Sequence, residues 1–400
     1  MPAKLGHFRP LRPFTHKELL NIKAEFIRQS LAAGRGKPES LAWYDSLIEP
    51  WNKNLLTQTP AVIIDLGGSY LRKGVILWEG KKFRWLVPLQ KELALNEHQN
   101  PLNFINWLVK KTLPLVKQSR ASRIGLVFSY PHQPQKFNGH VTGVVTQLPK
   151  GLVVPGLKGV DIGRLYLKGL KNEGVLLEKF VILNDTVALA LSKYQAQLGL
   201  VIGTGANICS MQPKLKNLRN IEAGDFNGVA HTLASASVDL SDKPGVKTME
   251  KQSTGRYQFR NLAFAALLEG MRSVIGQELM QKGLEVESLI ATEISQKKFE
   301  LISELKLSQT EKQRLTHLSR IILKNSYQMW AAALAAVIEL NKNQLKKTSI
   351  NIPVTGGVIL NDPAYFAGLK TTIESLTEKK IQLIKVPDPI KGAAVAALME

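Results

Sequence analysis

One device occurs twice in this chain and limits what it can fold into. Ala61 to Ile76 (AVIIDLGGSYLRKGVI) opens as an apolar, β-branched run, ends that run in Asp65, passes through Gly67-Gly68 and resumes as a second apolar run from Leu71 to Trp78. Leu198 to Met211 (LGLVIGTGANICSM) repeats the pattern around Gly203-Thr204-Gly205. Runs of this kind read as buried strands joined by a turn. Two glycines followed by Ser69 let successive N–H groups converge without Cβ atoms in the way, as a phosphate chain requires. Asp65 at the strand end repels phosphate directly but is well placed to hold a hydrated Mg²⁺. A lone Gly-Gly turn is more often only a hairpin. It is not a Walker-type loop either, because no Gly-Lys-Ser/Thr follows to open a helix. Repetition carries the argument: two such hairpins, each opening an α/β domain, can hold a nucleotide's phosphates from both sides.

A third glycine turn, Thr355-Gly356-Gly357, follows the strand Ile350 to Val354. Between the first two turns lies the apolar strand Phe180 to Leu183, which ends in Asn184-Asp185-Thr186. Strand ends of open α/β sheets are where ligands bind. Asp185 there reads as a general base beside a hydroxyl-binding amide, or equally as part of an Asn-Asp-Thr helix cap.

The remaining pattern alternates strands and helices. Thr15 to Glu18 has capping-box spacing ahead of Leu19, Ile22, Phe26, Ile27 and Leu31, with Gly34, Gly36 and Pro38 to stop the helix. Strands are expected at 83–89, 124–130 and 381–386, and helices at about 100–116, 161–173, 187–197, 315–340, 363–377 and 392–399. Residues 131–160 read as glycine-rich and irregular, and 220–226 as a polar loop with two carboxylates.

Four hundred residues with 44% hydrophobic content are ample for two or three packed domains. No apolar run approaches the roughly 20 residues that span a bilayer, and the N-terminal stretch lacks the apolar core of a secretory signal. The single cysteine, Cys209, excludes an intrachain disulfide and fits a reducing, cytoplasmic setting. A net charge of +21 raises nucleic acid or an anionic membrane as partners. The lysines are spread along the whole chain without aromatic interleaving, so neither nucleic acid nor membrane is expected.

Three glycine turns after apolar strands, with an Asn-Asp strand end between the first two, look like the actin-like ATPase superfamily, and within it the chain resembles the hexokinase family. IDLGGSYLR (64 to 72) is similar to that family's first phosphate loop, FSYPHQ (128 to 133) to its sugar-loop start, LPKG (148 to 151) to the following Thr-Lys-Gly, and LNDT (183 to 186) to its catalytic segment. IGTGAN (202 to 207) resembles the second phosphate loop, and NIEAGDF (220 to 226) the segment bringing a sugar-binding glutamate. MEKQSTGRYQ (249 to 258) resembles the next glycine-containing segment, VTGGVIL (354 to 360) the adenosine loop, and DPIKGAAVAAL (388 to 398) the closing helix.

The resemblance implies a two-domain actin-like ATPase (ribonuclease H-like) α/β fold with sugar and ATP in the cleft between the domains. The small domain would take 60–183 plus 388–400, and the large one 1–59 plus 186–387. It implies ATP-dependent transfer of the γ-phosphate to the 6-hydroxyl of a hexose, glucose first, with Asp185 as general base and Lys150 offsetting phosphoryl charge. Ser129, Lys150, Asn184, Asn207 and Glu222 fall on positions that hold the sugar. Gly67, Gly68, Ser69 and Arg72, with Gly203, Thr204 and Gly205, fall on positions that hold phosphates; Gly356 and Gly357 lie against the adenosine, and Asp65 reaches Mg²⁺ through water. The partners are then a hexose and ATP, with the oligomeric state open. Two positions depart from the family: Pro149 stands for the threonine before Lys150, and Arg260 for a glutamate three residues after Tyr257. An arginine cannot accept a sugar hydroxyl's hydrogen bond. At Arg260 the alternatives are pairing with Glu222, an acidic or phosphorylated sugar, or a shift in register; for the whole chain they are a kinase for a different or charged sugar and a catalytically silent sugar sensor.

Overall fold

In the computed structural model, which describes residues 8–35, 37, 39–51, 56–67, 70–95, 97–147, 152–212, 216–271, 290–345 and 349–400, the expected capping box heads helix α1 (His16–Ala33): the Thr15 N–H donates to Glu18 Oε2 at 2.7 Å and the Glu18 N–H to Thr15 Oγ1 at 3.3 Å. Leu19, Ile22 and Phe26 form its buried stripe. Gly36 and Pro38 lie outside the described residues.

After β1 (Trp43–Asp45) comes the first glycine hairpin, β2 (Ala61–Leu66) and β3 (Tyr70–Trp78), continued by β4 (Phe83–Leu93), which runs past the expected end at 89. Asn100 caps α2 (Pro101–Ser119), with Pro101 at a position where a missing N–H costs nothing. β5 (Arg123–Phe128) follows. The stretch after it is not irregular: β6 (His132–Phe137) and β7 (His140–Val145) pair antiparallel. Their turn, Asn138-Gly139, has φ of 48° and 81°, the left-handed pair that a type I′ hairpin needs. α3 (Ile162–Asn172), β8 (Lys179–Leu183) and α4 (Asp185–Leu191) complete this part, α4 ending short of the expected 197.

These strands make a seven-stranded sheet in the order β4-β3-β2-β5-β8-β7-β6. β2 is buried at all six positions because it has a sheet neighbour on each side, β3 antiparallel and β5 parallel. The sheet belongs to a compact unit of residues 44–199, 209–220 and 388–400, called the smaller unit below.

The larger unit takes 1–43, 200–208 and 221–387. The chain continues through β9 (Leu198–Ile202), β10 (Ala206–Met211) and β11 (Leu218–Ile221), then helices α5 (Leu233–Ser241), α6 (Thr248–Ser253), α7 (Gly255–Leu268), α8 (Ile290–Ser295) and α9 (Gln309–Leu340). β12 (Ser349–Thr355), α10 (Gly357–Asn361), α11 (Pro363–Thr377), β13 (Lys380–Lys385) and α12 (Lys391–Leu398) close the chain. A six-stranded sheet runs β1-β11-β10-β9-β12-β13. α9 starts at Gln309 rather than 315 because Ser308 and Glu311 form a second capping box. By length and composition α9 alone among the described helices is apolar enough to cross a membrane, but 83% of that apolar window is buried inside the protein. Residues 331–336 are fully buried, and α1 and α11 both pack against α9.

Candidate active site

In the smaller unit the chemistry gathers at one end of β2, β5 and β8. The Gly67 N–H donates to Tyr70 O at 3.1 Å and so closes the first glycine turn; Gly68 and Ser69 lie outside the described residues. Asp65 and Arg72 are register partners across β2 and β3. The Arg72 Nε–H donates to Asp65 Oδ2 at 2.8 Å, and Nη1 lies 3.3 Å from Asp388 Oδ1. Burial raises the Asp65 carboxyl above its ordinary range, against the pull of Arg72. Among the described residues Asp65 Oδ1 has no hydrogen-bond partner. Ser129 follows β5, its N–H donating to Leu66 O at 3.4 Å. The Tyr130 hydroxyl reaches Gly67 O at 3.5 Å, so the residues after β5 are tied to the glycine turn.

At the end of β8 both readings of Asn-Asp-Thr hold together. Asn184 is the N-cap of α4: its Oδ1 accepts the Thr186 N–H at 3.0 Å and lies 2.8 Å from Thr186 Oγ1, which is also 2.7 Å from Asn220 Oδ1. With Oδ1 occupied, the Asn184 NH₂ is left to donate, and among the described residues it has no acceptor. Asp185 is the first residue of α4 and the single residue from Phe180 to Leu191 that is not buried. The first turn of a helix is a place where its dipole favours a negative charge, as a general base requires. Lys150, with Pro149 and Gly151, lies outside the described residues.

His132 has a place here that the sequence did not suggest. It is buried, its Nδ1–H is 2.8 Å from Tyr130 O, and burial holds its pKa below the ordinary histidine value, so the ring is neutral. With Asn184, Asn220, Tyr44 and Ser46 it lines a cavity of about 10 Å³, the room of one water.

In the larger unit the second glycine turn is braced by backbone on two sides. The Gly203 N–H donates to Gly205 O at 2.8 Å, and the Gly255 N–H to Gly203 O at 2.9 Å. Gly356 has φ of 112°, and a Cβ there would lie 2.1 Å from Ile202 O, so only glycine allows the third turn to pack on the second. Gly357 begins α10 directly after it, and Thr204 stands exposed at the tip of the second turn.

Beside this turn lie the expected sugar residues. Asn207 Oδ1 accepts the Ala223 N–H at 2.8 Å, fixing the one-turn helix Ala223–Asp225 that follows Glu222. Glu222 is buried, its N–H donating to Ala42 O at 2.9 Å. Sequence reasoning noted Asp225 only as one of two loop carboxylates and passed over Lys247 and Glu250, which join it here. Burial pushes the Asp225 carboxyl up to about 7, opposed by Lys247 and aided by Glu222 and Glu250. The signal for Lys247 was out of reach, because it lies 25 positions from Glu222 in the sequence. Arg260 does not pair with Glu222 among the described residues. It lies over the ring of Tyr257 at 5.5 Å, and the Tyr257 hydroxyl donates to Asp242 Oδ2 at 2.7 Å.

Two family models, both described as hexokinase, match residues 13–194 and 197–399. Hexokinase-2 of Candida albicans is 28% identical over 229 residues, 48% of this chain and 46% of that protein. The chloroplastic hexokinase-2 of Nicotiana tabacum is 27% identical over 225 residues, 48% of this chain and 44% of that one. Each alignment therefore spans a little under half the length of the curated relative. A Schistosoma mansoni hexokinase complexed with glucose superposes with a TM-score of 0.78 at 16% identity, covering 96% of both chains. A second hexokinase crystal structure gives 0.77 at 20%, covering 97% of this chain and 96% of that one. These superpositions bear out the two-domain actin-like α/β fold.

Proposed function

The chain belongs to the hexokinase family, and from that premise we propose that it transfers the γ-phosphate of ATP to the 6-hydroxyl of a hexose, glucose first. The observation that carries this reading is Asp185: the one residue left partly open along an otherwise buried strand end and helix, beside an asparagine whose NH₂ has no acceptor among the described residues. In that role Asp185 takes the proton from the 6-hydroxyl as its oxygen attacks the γ-phosphorus, and the rest of catalysis is positioning and charge neutralisation. Asn184 and Ser129 orient the sugar from the smaller unit. Asn207, its oxygen already bound to Ala223, offers an NH₂ from the larger one, and Glu222 offers acceptor oxygens. Lys150 is assigned to the transferring phosphoryl group.

The first glycine turn with Arg72, and the second with Thr204, are assigned to the phosphates, and Gly356 and Gly357 to the adenosine. Mg²⁺ accompanies the nucleotide and neutralises phosphate charge when bound. Asp65 fits a hydrated ion of this kind, since Oδ2 holds Arg72 and Oδ1 has no other described partner. Glucose as first candidate is supported by the Schistosoma neighbour, which binds it. The nucleotide is supported by a Streptomyces griseus glucokinase solved with glucose and AMPPNP, which superposes with a TM-score of 0.51 at 14% identity.

The test is ADP release from Mg-ATP against glucose, mannose, fructose, N-acetylglucosamine, glucosamine and a sugar acid, with Asp185→Ala as control. Turnover on a neutral hexose that vanishes in the variant is the expected result. Turnover only on a charged sugar replaces it with the kinase reading that Arg260 favours. Sugar binding with no turnover on any of them leaves the silent sensor.

A further inference from the structure

In the larger unit the segment ahead of α1 carries a guanidinium inward, against the helices. The Arg9 N–H donates to His231 O at 2.9 Å, and the Phe14 main chain exchanges hydrogen bonds with the Gln328 side chain of α9 at 2.9 and 3.1 Å. Between these anchors Arg9 lines a cavity of about 20 Å³, with Leu11, Asn261 of α7, and Ile322, Asn325 and Met329 of α9. No carboxylate is among the lining residues. Two donors there lack acceptors. The Arg9 Nε–H is buried without a partner, while Nη2 donates to Arg12 O and, at 3.4 Å, to Asn325 Oδ1. Asn325 is only 5% exposed, and with Oδ1 turned to Arg9 its NH₂ has no acceptor among the described residues. Charge is out of balance as well. Arg12 takes both oxygens of Glu18, at 2.9 and 3.0 Å, and Asp239 of α5 is paired with Lys251 at 2.8 Å. Burial lowers the Arg9 guanidinium to about 10, with Glu18 opposing that shift and Arg12 adding to it. A cation taken out of water is costly unless an opposite charge meets it.

We propose that this cavity binds one small monovalent anion of chloride's size, held by the Arg9 Nε–H and the Asn325 NH₂, which ties the segment ahead of α1 to α9. The volume is the room of one water or one monatomic ion, and it leaves out phosphate and sugars. Charge and hydrogen bonding then favour the anion over water. Water cannot neutralise a guanidinium, and both open groups are donors, which an anion accepts without having to place a proton. Leu11, Ile322 and Met329 complete the lining with apolar surface, where opposite charges attract more strongly than in water. The Phe14 ring lies 3.8 Å from the guanidinium carbon and covers its face, so the N–H groups in its plane remain the ones to use. Asn261 spends both of its N–H groups on Lys251 O and Tyr257 O, at 2.8 Å each, and its oxygen is what a water would use instead. None of the lining residues is assigned to sugar, phosphate or adenosine, so the site stands independently of the kinase reading.

The experiment uses the full chain. Crystals grown without halide and soaked in sodium bromide, whose anion scatters anomalously, locate the ion. Melting is compared in sodium chloride and sodium gluconate at equal ionic strength for wild type, Arg9→Gln and Asn325→Asp. The expected result is a bromide peak between Arg9 Nε and Asn325 Nδ2, and a wild-type melting temperature about 2 °C higher in chloride, as for any ligand that binds only the folded chain. Arg9→Gln loses the cation, and with it both the peak and the chloride increment. Asn325→Asp supplies the counter-charge from the chain itself. It also loses both, yet melts in gluconate at least as high as wild type does in chloride, a result that an arginine present only for packing would not give. A cavity without anomalous signal, equal wild-type melting in the two salts, or a chloride increment that persists in Arg9→Gln overturns the proposal. So does a bromide peak with no chloride increment, which is an adventitious ion only. Should Arg9→Gln fail to fold, Asn325→Asp decides, and a chloride increment equal to that of wild type overturns the proposal.

Discussion

The Asn184-Asp185 corner of the smaller unit and the Glu222-Lys247 cluster of the larger one both present carboxylates next to an amide NH₂, by opposite means. At the corner everything is local: three consecutive residues turn a strand into a helix, the asparagine caps it, and Asp185 stands in the first turn, where the helix dipole favours a negative charge. In the cluster two segments meet: Glu222 and Asp225 come from the loop after β11, Lys247 and Glu250 from the start of α6, and burial raises the Asp225 carboxyl against the pull of Lys247. Charge held by backbone geometry is robust to its neighbours, whereas charge held by a counter-ion is only as secure as that ion.

The largest effect should come from the corner. Asp185→Asn keeps shape and helix contacts but removes the base, so kcat in a coupled ADP assay should fall about a thousandfold with little change in sugar KM. An effect under tenfold would make the carboxylate dispensable and remove the contrast between the two regions. Next comes the brace of the second glycine turn. Gly356→Val forces a Cβ to within 2.1 Å of Ile202 O at a φ of 112°, and thermal melts should show a loss of roughly 3 kcal/mol or more. A fully stable variant would mean that the third turn is free to move off the second. Thr186→Val tests the corner's support: it leaves the buried amide oxygens of Asn184 and Asn220 short of one hydrogen bond, about 1–3 kcal/mol. A several-fold rise in sugar KM should accompany the drop in melting temperature.

The smallest effect is a stability difference with pH, and its sign separates the two regions. Burial raises the Asp225 pKa to about 7 in the folded chain, from about 3.9 when unfolded. The folded state therefore binds more protons between those values, and stability from this group falls as pH rises through the window. Asp225→Asn should leave melting unchanged near pH 4 and raise stability by roughly 1–2 kcal/mol at pH 8, after discounting for its partial exposure. A destabilised variant at pH 8 would show that Lys247 needs all three carboxylates.

Legibility in the sequence follows the same division. The capping box at Thr15, the buried strands on either side of the first glycine turn and the Asn-Asp-Thr corner are all short-range patterns, and each forms where its residues predict. The β6-β7 hairpin was hidden because His132, Gln133, Pro134, Gln135 and Lys136 are poor strand formers whose pairing is fixed by the sheet. Asn138-Gly139 was the available signal. The neutral, buried His132 and the left-handed Lys247 were invisible for a stronger reason: the first depends on Gly143 and Phe128 packing around its ring, the second on contacts with residues far along the chain.

The helix that carries Asp185 leans on residues made much later. Gly392 of α12 approaches so closely that a Cβ would sit 1.8 Å from Ala188 O in α4, and Lys179 in β8 and Thr57 reach the main chain of Met399 and Leu398. All of these belong to the smaller unit, yet residues 221–387 of the larger one are translated in between. At roughly 5–20 residues per second, making residues 221–387 takes about 8 to 33 seconds, during which the place for α12 is uncovered. During that interval the apolar surface that α12 later covers is open to chaperones or to another nascent chain, a period of exposure set by the order of the gene rather than by the stability of the finished fold.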